Sequence, residues 1–309
     1  MADTWFDRRT YRRPWDLEEL LVSKAATSQR VSLVLPARDE AETVGGIVAR
    51  IREAFVDSSS LVDELVVIDG DSTDDTARIA REAGAEVHTL ADIRPDLGTR
   101  TGKGEAIWKS QFVTSGSLLV FIDADLTDWD THFVTSLLGP LLTDPTVALV
   151  KGFYERPLRS AGVEDPHGGG RVTELVARPL LALARPELGQ VVQPLAGEWA
   201  VRREVYETLR VPTGYGVDLA ALLDVSQRLG LDAIAQVDLG RRAHSHQPVS
   251  ALAAMATQIM SAVIMRTDRG GPDLESAVLR QFAPAVGGFA ETTRDVDLTE
   301  RQPAIEVTR

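Results

Sequence analysis

Apolar and polar positions fall into two kinds of block along the first half of the chain. Near-continuous apolar runs, VSLVLP (31–36), ELVVID (64–69), LLVFID (118–123) and VALVKGFYE (147–155), read as strands buried on both faces. Between them, AETVGGIVARIREAF (41–55), DSTDDTARIAREAGA (71–85), KGEAIWKSQFV (103–113) and a stretch over roughly 129–142 carry apolar residues at helical spacing, and EVHTL (86–90) adds a short strand. Ser72, with Asp75 three residues later, resembles a capping box opening the second of these helices. Strand and helix in alternation predict an α/β fold: an open, mostly parallel sheet with helices on both faces.

The pattern changes after residue 155. PHGGGRVTEL (166–175) sets three glycines before a helix, and QPLAGEWAV (193–201) is extended and partly apolar. YGVDLAALLDVSQRLG (215–230) is an amphipathic helix, and AIAQVDLG (233–240) is a strand that empties into RRAHSHQ (241–247). A long helix follows from about Val249 to Arg266. From Gly270 the composition turns loop-like and acidic, which predicts a loosely packed tail.

Lys and Arg number 33 against 46 Asp and Glu, a net charge of −13 that repels nucleic acid and anionic lipid. An anionic small molecule therefore needs a local cluster of bases to be held. There is no cysteine, which excludes disulfides, zinc–thiolate sites and a cysteine nucleophile and agrees with a reducing cytoplasm. The first residues carry arginines interrupted by acids, with no long apolar run behind them, unlike a signal peptide. PLLALARP (179–186) falls far short of the ~20 apolar residues a spanning helix needs. A soluble cytoplasmic protein is expected.

In open parallel sheets ligands bind beyond the carboxyl ends of the strands. It is there that PARDE, DGDSTDD, DADLTD and RRAHSH fall, which implies one site. A strand repeats every two residues, so Asp123 and Asp125 leave the sheet on one side and repel each other unless a positive charge stands between them. Mg²⁺ or Mn²⁺ suits carboxylate ligands beside a phosphate substrate; solvated loop acids or helix caps are the alternative. GTRTGKGEA (98–106) is not a phosphate-binding P-loop, because three residues rather than four separate Gly98 from Gly102 and Gly104 replaces the hydroxyl. Lys103 at a helix start still offers an anion contact, the alternative being an exposed lysine. GGGRVTEL repeats that physics with Arg171 and Thr173, as a second anion site or a flexible linker. His244 and His246 face one way on an extended chain, either as a surface pair or with His244 joining Asp125 on Mn²⁺. No Ser–His–Asp ordering and no H-E-x-x-H is present.

These motifs, in this order from about Val31 to Gln247, resemble those of the GT-A glycosyltransferases, and more closely the retaining glucosyl-3-phosphoglycerate synthase family. The likeness runs through VLPARDE, VIDGDSTDDTA, GKGEAIWKS, FIDADLTDW, GGGRVTELVARPLL, QPLAGEWAVRR, GYGVDLAALLDV and LDAIAQVDLG. It implies transfer of glucose from UDP-glucose to the 2-hydroxyl of 3-phosphoglycerate by a homodimer that uses Mg²⁺ or Mn²⁺. It also implies that Pro36, Ala37, Glu40 and Asp69 line the uridine, while Lys103 and Asp123 hold the nucleotide sugar. Asp125 and His244 would bind the metal, Leu195, Tyr215 and Val217 would flank sugar and acceptor, and Gly170, Arg171 and Thr173 would receive the phosphoglycerate. Lys103, Asp218 and Arg242 would carry the catalysis, Arg242 beside the leaving phosphates.

Two positions depart from the family pattern: Asp218, where the family has Glu reaching the donor hexose, and His246, where it has Asn. Both bear on donor choice, since a related mannosyl-3-phosphoglycerate synthase uses the same scaffold with GDP-mannose. Read without the resemblance, the residues also suit a Mg²⁺-dependent nucleotidyltransferase or a sugar-nucleotide sensor without turnover. The expected division is an extension (1–30), a nucleotide-sugar half (31–155), an acceptor-binding and metal-completing half (156–268) and a tail (269–309).

Overall fold

A computed structural model describes residues 4–13, 15–155, 158–160, 163–165, 170–242, 249–267, 275–285 and 288–307. The first half runs α1 (Trp5–Arg9), β1 (Thr10–Tyr11), α2 (Leu17–Thr27), β2 (Val31–Ala37), α3 (Val44–Ile51), β3 (Glu64–Asp69), α4 (Thr76–Glu82), β4 (Glu86–Thr89), α5 (Lys103–Ser110), β5 (Leu118–Phe121), α6 (His132–Thr143) and β6 (Leu149–Glu155). Then come β7 (Leu158–Ser160), β8 (Val163–Asp165), α7 (Arg178–Ala184), β9 (Trp199–Arg202), α8 (Arg203–Tyr206), β10 (Val211–Pro212), α9 (Val217–Leu229) and β11 (Ile234–Arg241). The chain closes with α10 (Val249–Ile264), β12 (Ser276–Ala285), β13 (Gly288–Asp297), β14 (Glu300–Arg301) and α11 (Ala304–Val307).

Eight strands form one sheet in the order β1-β11-β6-β9-β5-β2-β3-β4. All neighbours are parallel except β9, which is antiparallel to both β5 and β6. The expected mostly parallel sheet is present, and it is continuous across residue 155 because β9 and β11 belong to it, with β1 at its edge. Since β9 runs against its neighbours, the residues that precede it lie at the edge where the parallel strands end. Successive strand residues alternate between two cores: Leu33, Leu35 and Val120 pack with α3 and α6 on one face, Val34, Leu119 and Phe121 with α5 and α9 on the other. Burying each such side chain contributes roughly 2 kcal/mol.

Several element boundaries differ from expectation for local reasons. The helix expected over 41–55 is α3 continued by a π-helical turn, Arg52–Asp57. Ser72 and Asp75 form no capping box, for Asp75 caps α4 without a side-chain bond and the Ser72 hydroxyl instead accepts the Asp39 amide at 2.9 Å. Thr73 N in turn donates to Asp39 Oδ1 at 2.7 Å, so the loops after β2 and β3 brace each other.

The stretch after Gly270 is a correction. Where a loosely packed tail was expected, β12 and β13 form an antiparallel hairpin from Ser276 opposite Asp297 to Ala285 opposite Gly288, and β14 pairs with β10. Val296 and Leu298 are buried against Ala254 of α10. Trp108 Nε1 of α5 donates to Gln302 O at 2.9 Å. Asp295, Asp297 and Glu300 of this stretch lie on strands held by hairpin register and by long-range pairing, which composition alone does not reveal.

Candidate active site

Asp123 and Asp125 leave the sheet just past β5. Asp123 has both oxygens engaged: Lys103 Nζ lies 2.7 Å from Oδ1, and Arg242 NH2 donates to Oδ2 at 2.7 Å. Burial opposes its ionisation, but these two cations outweigh it and hold the carboxyl well below the usual carboxylate range. Asp125 receives the same Arg242 nitrogen on Oδ1, at 3.1 Å. Burial and the charge of Asp123 push its carboxyl up. Glu40 is pushed to about 7 by burial and then by Asp125, Asp123 and Asp74. The positive charge found between the two aspartates is thus a guanidinium, and negative charge remains in excess around Asp125. A divalent cation that prefers carboxylate oxygens fits that excess.

Lys103 opens α5 and reaches this cluster because glycines flank it. Gly102 has φ +133°, and a Cβ on Gly104 would collide with Pro212 O of β10. The GKG sequence is therefore a packing requirement as well as an anion-binding turn. Lys103 Nζ also lies 3.3 Å from Asp218 Oδ2. Burial disfavours its charge, but Asp123 and Asp218 overcome that and raise its pKa above the ordinary lysine value. Asp218, in the first turn of α9 and 6% exposed, accepts Trp199 Nε1 on its other oxygen at 2.8 Å.

The short run before and into β9 ties these groups together. Ala196 O accepts Lys151 Nζ at 2.7 Å, and the same ammonium donates to Asp218 O at 3.3 Å. Burial drives Lys151 down to about 8 despite the charge of Asp218. A Cβ on Gly197 would collide with Asp123 Oδ2. Glu198 Oε1 lies 3.2 Å from Arg242 Nε. Arg242 NH1 donates to the Tyr154 hydroxyl at 2.8 Å. A cavity of about 630 Å³ walled by Phe6, Tyr11, Arg12 and Trp15 lies apart from these charges, so charge geometry rather than void volume marks the site.

The family model of glycosyl transferase family 2 matches residues 32–209. The glucosyl-3-phosphoglycerate synthase of Mycolicibacterium smegmatis is 45% identical over 304 residues, 98% of either chain. This chain belongs to the glucosyl-3-phosphoglycerate synthase family. Crystal structures of the Mycobacterium tuberculosis synthase cover 97% of this chain and 99% of their own. One, in complex with Mn²⁺, UDP-glucose and phosphoglyceric acid, superposes with a TM-score of 0.85 at 42% identity. Another, with Mg²⁺ and UDP, gives 0.86 at 43%. The GT-A-like fold is common to this chain and the synthase structures.

The remaining residues assigned from the synthase resemblance fall at the same sheet edge or on the second half. Asp69, at the end of β3, is 4% exposed; its Oδ2 accepts Ser72 N at 3.3 Å, while Oδ1 is buried without a hydrogen-bond partner among the described residues. Ala37 is buried and Pro36 partly so, and Glu40 N donates to Thr76 Oγ1 at 2.7 Å. Leu195 is half-buried beside the β9 run, Val217 is buried, and Tyr215 is exposed with its amide on Gln258 Oε1 at 3.0 Å. Gly170, at φ +73°, and Arg171 precede buried Thr173, which opens a π-helical turn over Thr173–Ala177.

His244 and His246 lie outside the described residues. Among those described, no group of three or more His, Cys, Asp and Glu side chains is arranged around a metal position, and no helix is long and apolar enough to cross a membrane. Lys151, Gly197, Glu198 and Trp199 had no role assigned from the sequence. The available signal was a lysine inside a buried strand and a glutamate leading into another, positions where charge is rare unless paired.

Proposed function

We propose that this protein transfers glucose from UDP-glucose to the 2-hydroxyl of 3-phosphoglycerate, with retention at the anomeric carbon and release of UDP. The observation that carries the reading is Lys103 held between Asp123 and Asp218, beside an Asp125 whose charge is only partly met. Family membership at 45% identity over the whole chain supports it. On this reading residues 31–155 hold the donor, and 156–268 bring the acceptor and complete the metal site.

The unpaired Asp69 Oδ1 accepts a hydrogen bond from the uracil, with Pro36, Ala37 and Glu40 lining that pocket. Asp125 and His244 would hold Mg²⁺ or Mn²⁺, which when bound supplies neutralisation of the diphosphate charge. Lys103 and Arg242 meet the negative charge that grows on the departing UDP. Asp218, fixed by Trp199 and Lys103, faces the hexose hydroxyls, which Leu195, Tyr215 and Val217 flank. Gly170, Arg171 and Thr173 take the acceptor's anionic groups at a helix start.

The bond from C1 to the diphosphate oxygen breaks, the bond from C1 to the acceptor oxygen forms, and the hydroxyl proton leaves with UDP. Both Asp218 oxygens are engaged, which favours attack by the oriented acceptor over a covalent step through this carboxylate. The reading includes a homodimer, which light scattering checks, in a cytoplasm that suits a cysteine-free chain.

Incubating the purified protein with UDP-glucose, 3-phosphoglycerate and MgCl₂ or MnCl₂, then assaying UDP and the glucosylated product by mass, tests it. Faster turnover with GDP-mannose would reassign the donor. Pyrophosphate in place of UDP would mean nucleotidyl transfer. Donor binding without any product would mean a sensor.

A further inference from the structure

We infer that Glu198 is a positioning residue of this site: it grips Arg242 from behind and so fixes the guanidinium edge that faces Asp123 and Asp125. The inference rests on the transfer reading above, in which Arg242 meets the diphosphate.

Glu198 is completely buried, and among the described residues neither of its carboxylate oxygens nor Arg242 Nε makes a hydrogen bond of good geometry; the two groups meet as an ion pair, Oε1 to Nε at 3.2 Å. Its successors Trp199, Ala200 and Val201 are fully buried in the sheet. An apolar residue at 198 would therefore serve the fold at least as well, because a buried ion pair rarely outperforms well-packed hydrophobic replacements. The charge makes sense through what it does to its partner. Arg242 is held on three sides: Nε by Glu198, NH1 by the Tyr154 hydroxyl at 2.8 Å, and NH2 by Asp123 at 2.7 Å and Asp125 at 3.1 Å. A guanidinium is planar, so anchoring Nε and NH1 fixes the direction in which NH2 points. Asp123 and Asp125 alone would let it pivot. The Glu198 carbonyl, bonded by Gly152 N at 2.9 Å, secures the same residue to β6.

A double-mutant cycle tests this with Glu198→Gln, Arg242→Gln and the pair, following kcat and KM for UDP-glucose. Glu198→Gln is expected to lower kcat about 100-fold, the scale of an ångström's misplacement, with KM within about threefold. In the Arg242→Gln background the same change is expected to cost less than about threefold, because the two residues act as one unit. Glu198→Asp, which keeps the charge on a shorter stem, is expected to recover about tenfold of the loss; it replaces Glu198→Gln in the cycle if that variant does not fold. Additive losses, or an unchanged kcat in folded Glu198→Gln, overturn the inference. Absence of glucose transfer by the wild-type protein would defeat the functional reading instead. The same cycle is then read on the dissociation constant of UDP with MnCl₂, where additivity again overturns the role of Glu198.

Discussion

Arg301 closes on Glu105 through two parallel hydrogen bonds, 2.6 Å from NH2 to Oε1 and 2.8 Å from Nε to Oε2. Its remaining donors reach Leu97 O at 2.9 Å and Gly98 O at 3.1 Å, and its guanidinium stands over the Trp108 ring at 4.8 Å. The C-terminal segment thereby fastens the loop that leads into Lys103. Glu105 is completely buried, and Lys109 at 3.9 Å is its only other ionic neighbour among the described residues. Arg301→Met should cost about 3 kcal/mol, the usual loss when one member of a buried pair is removed. The expected signature is a lower melting temperature together with a raised KM for UDP-glucose. A melt and a KM matching the wild type would show the clamp to be idle.

That clamp also shows why part of the molecule was legible in the sequence and part was not. Asp123, Asp125 and Lys103 stand out because their signals are local: a period of two past an apolar run, and glycines at a helix start. Arg301 and Glu105 are 196 positions apart, and nothing near either one names the other. β9 was missed as an antiparallel strand because a short, mostly apolar strand carries no direction; only the chain's approach from the ligand edge reverses it. Glu198 and Lys151 were passed over for a related reason, since a charge inside an apolar run gains meaning only from partners on other strands. The hairpin of β12 and β13 was missed because its register is set by strand pairing and its buried contacts, Val296 against Ala254 of α10, lie far apart in the chain.

Gly197 is where backbone and charge cluster meet, and its role yields a sharp test. A methyl group there would overlap Asp123 Oδ2 and crowd Lys103 Nζ, which lies 2.7 Å from the Cβ position. Gly197→Ala should therefore part Asp123 from Lys103 and lower kcat by about 100-fold. The melting temperature should fall as well, because parting Asp123 from Lys103 breaks a buried ion pair. Full activity in the alanine variant would contradict the observed closeness.

Asp123 and Asp125 should separate by the kind of loss each produces. Asp123 neutralises Lys103 and Arg242, so Asp123→Asn leaves two buried cations short of a partner and should destabilise the fold by about 3 kcal/mol. Among the described residues, Asp125 is bound on one oxygen and sits where negative charge is in excess. Asp125→Asn should leave the melting temperature near wild type and weaken Mn²⁺ binding in the presence of UDP by about tenfold or more, since carboxylate ligands are what such cations require. Calorimetric titration with MnCl₂ decides it; equal metal affinity in both variants would remove Asp125 from the metal site.

Glu40 gives a pH dependence whose sign can be worked out. Burial and the nearby aspartates raise its carboxyl from 4.5 to about 7. Between those values the folded protein binds more protons than the unfolded chain, so this group lowers stability as pH rises through the window and leaves the full penalty above about 7. Glu40→Gln removes the penalty. The variant should match the wild type near pH 4.5 and melt higher at pH 8 without added metal, by roughly 1 kcal/mol once the screening of a partly exposed group is allowed for. MnCl₂ with UDP should narrow that gap, because a cation near Asp125 relieves the crowding that raises Glu40. A gap of the same size at both pH values would mean that Glu40 is not strained by its neighbours.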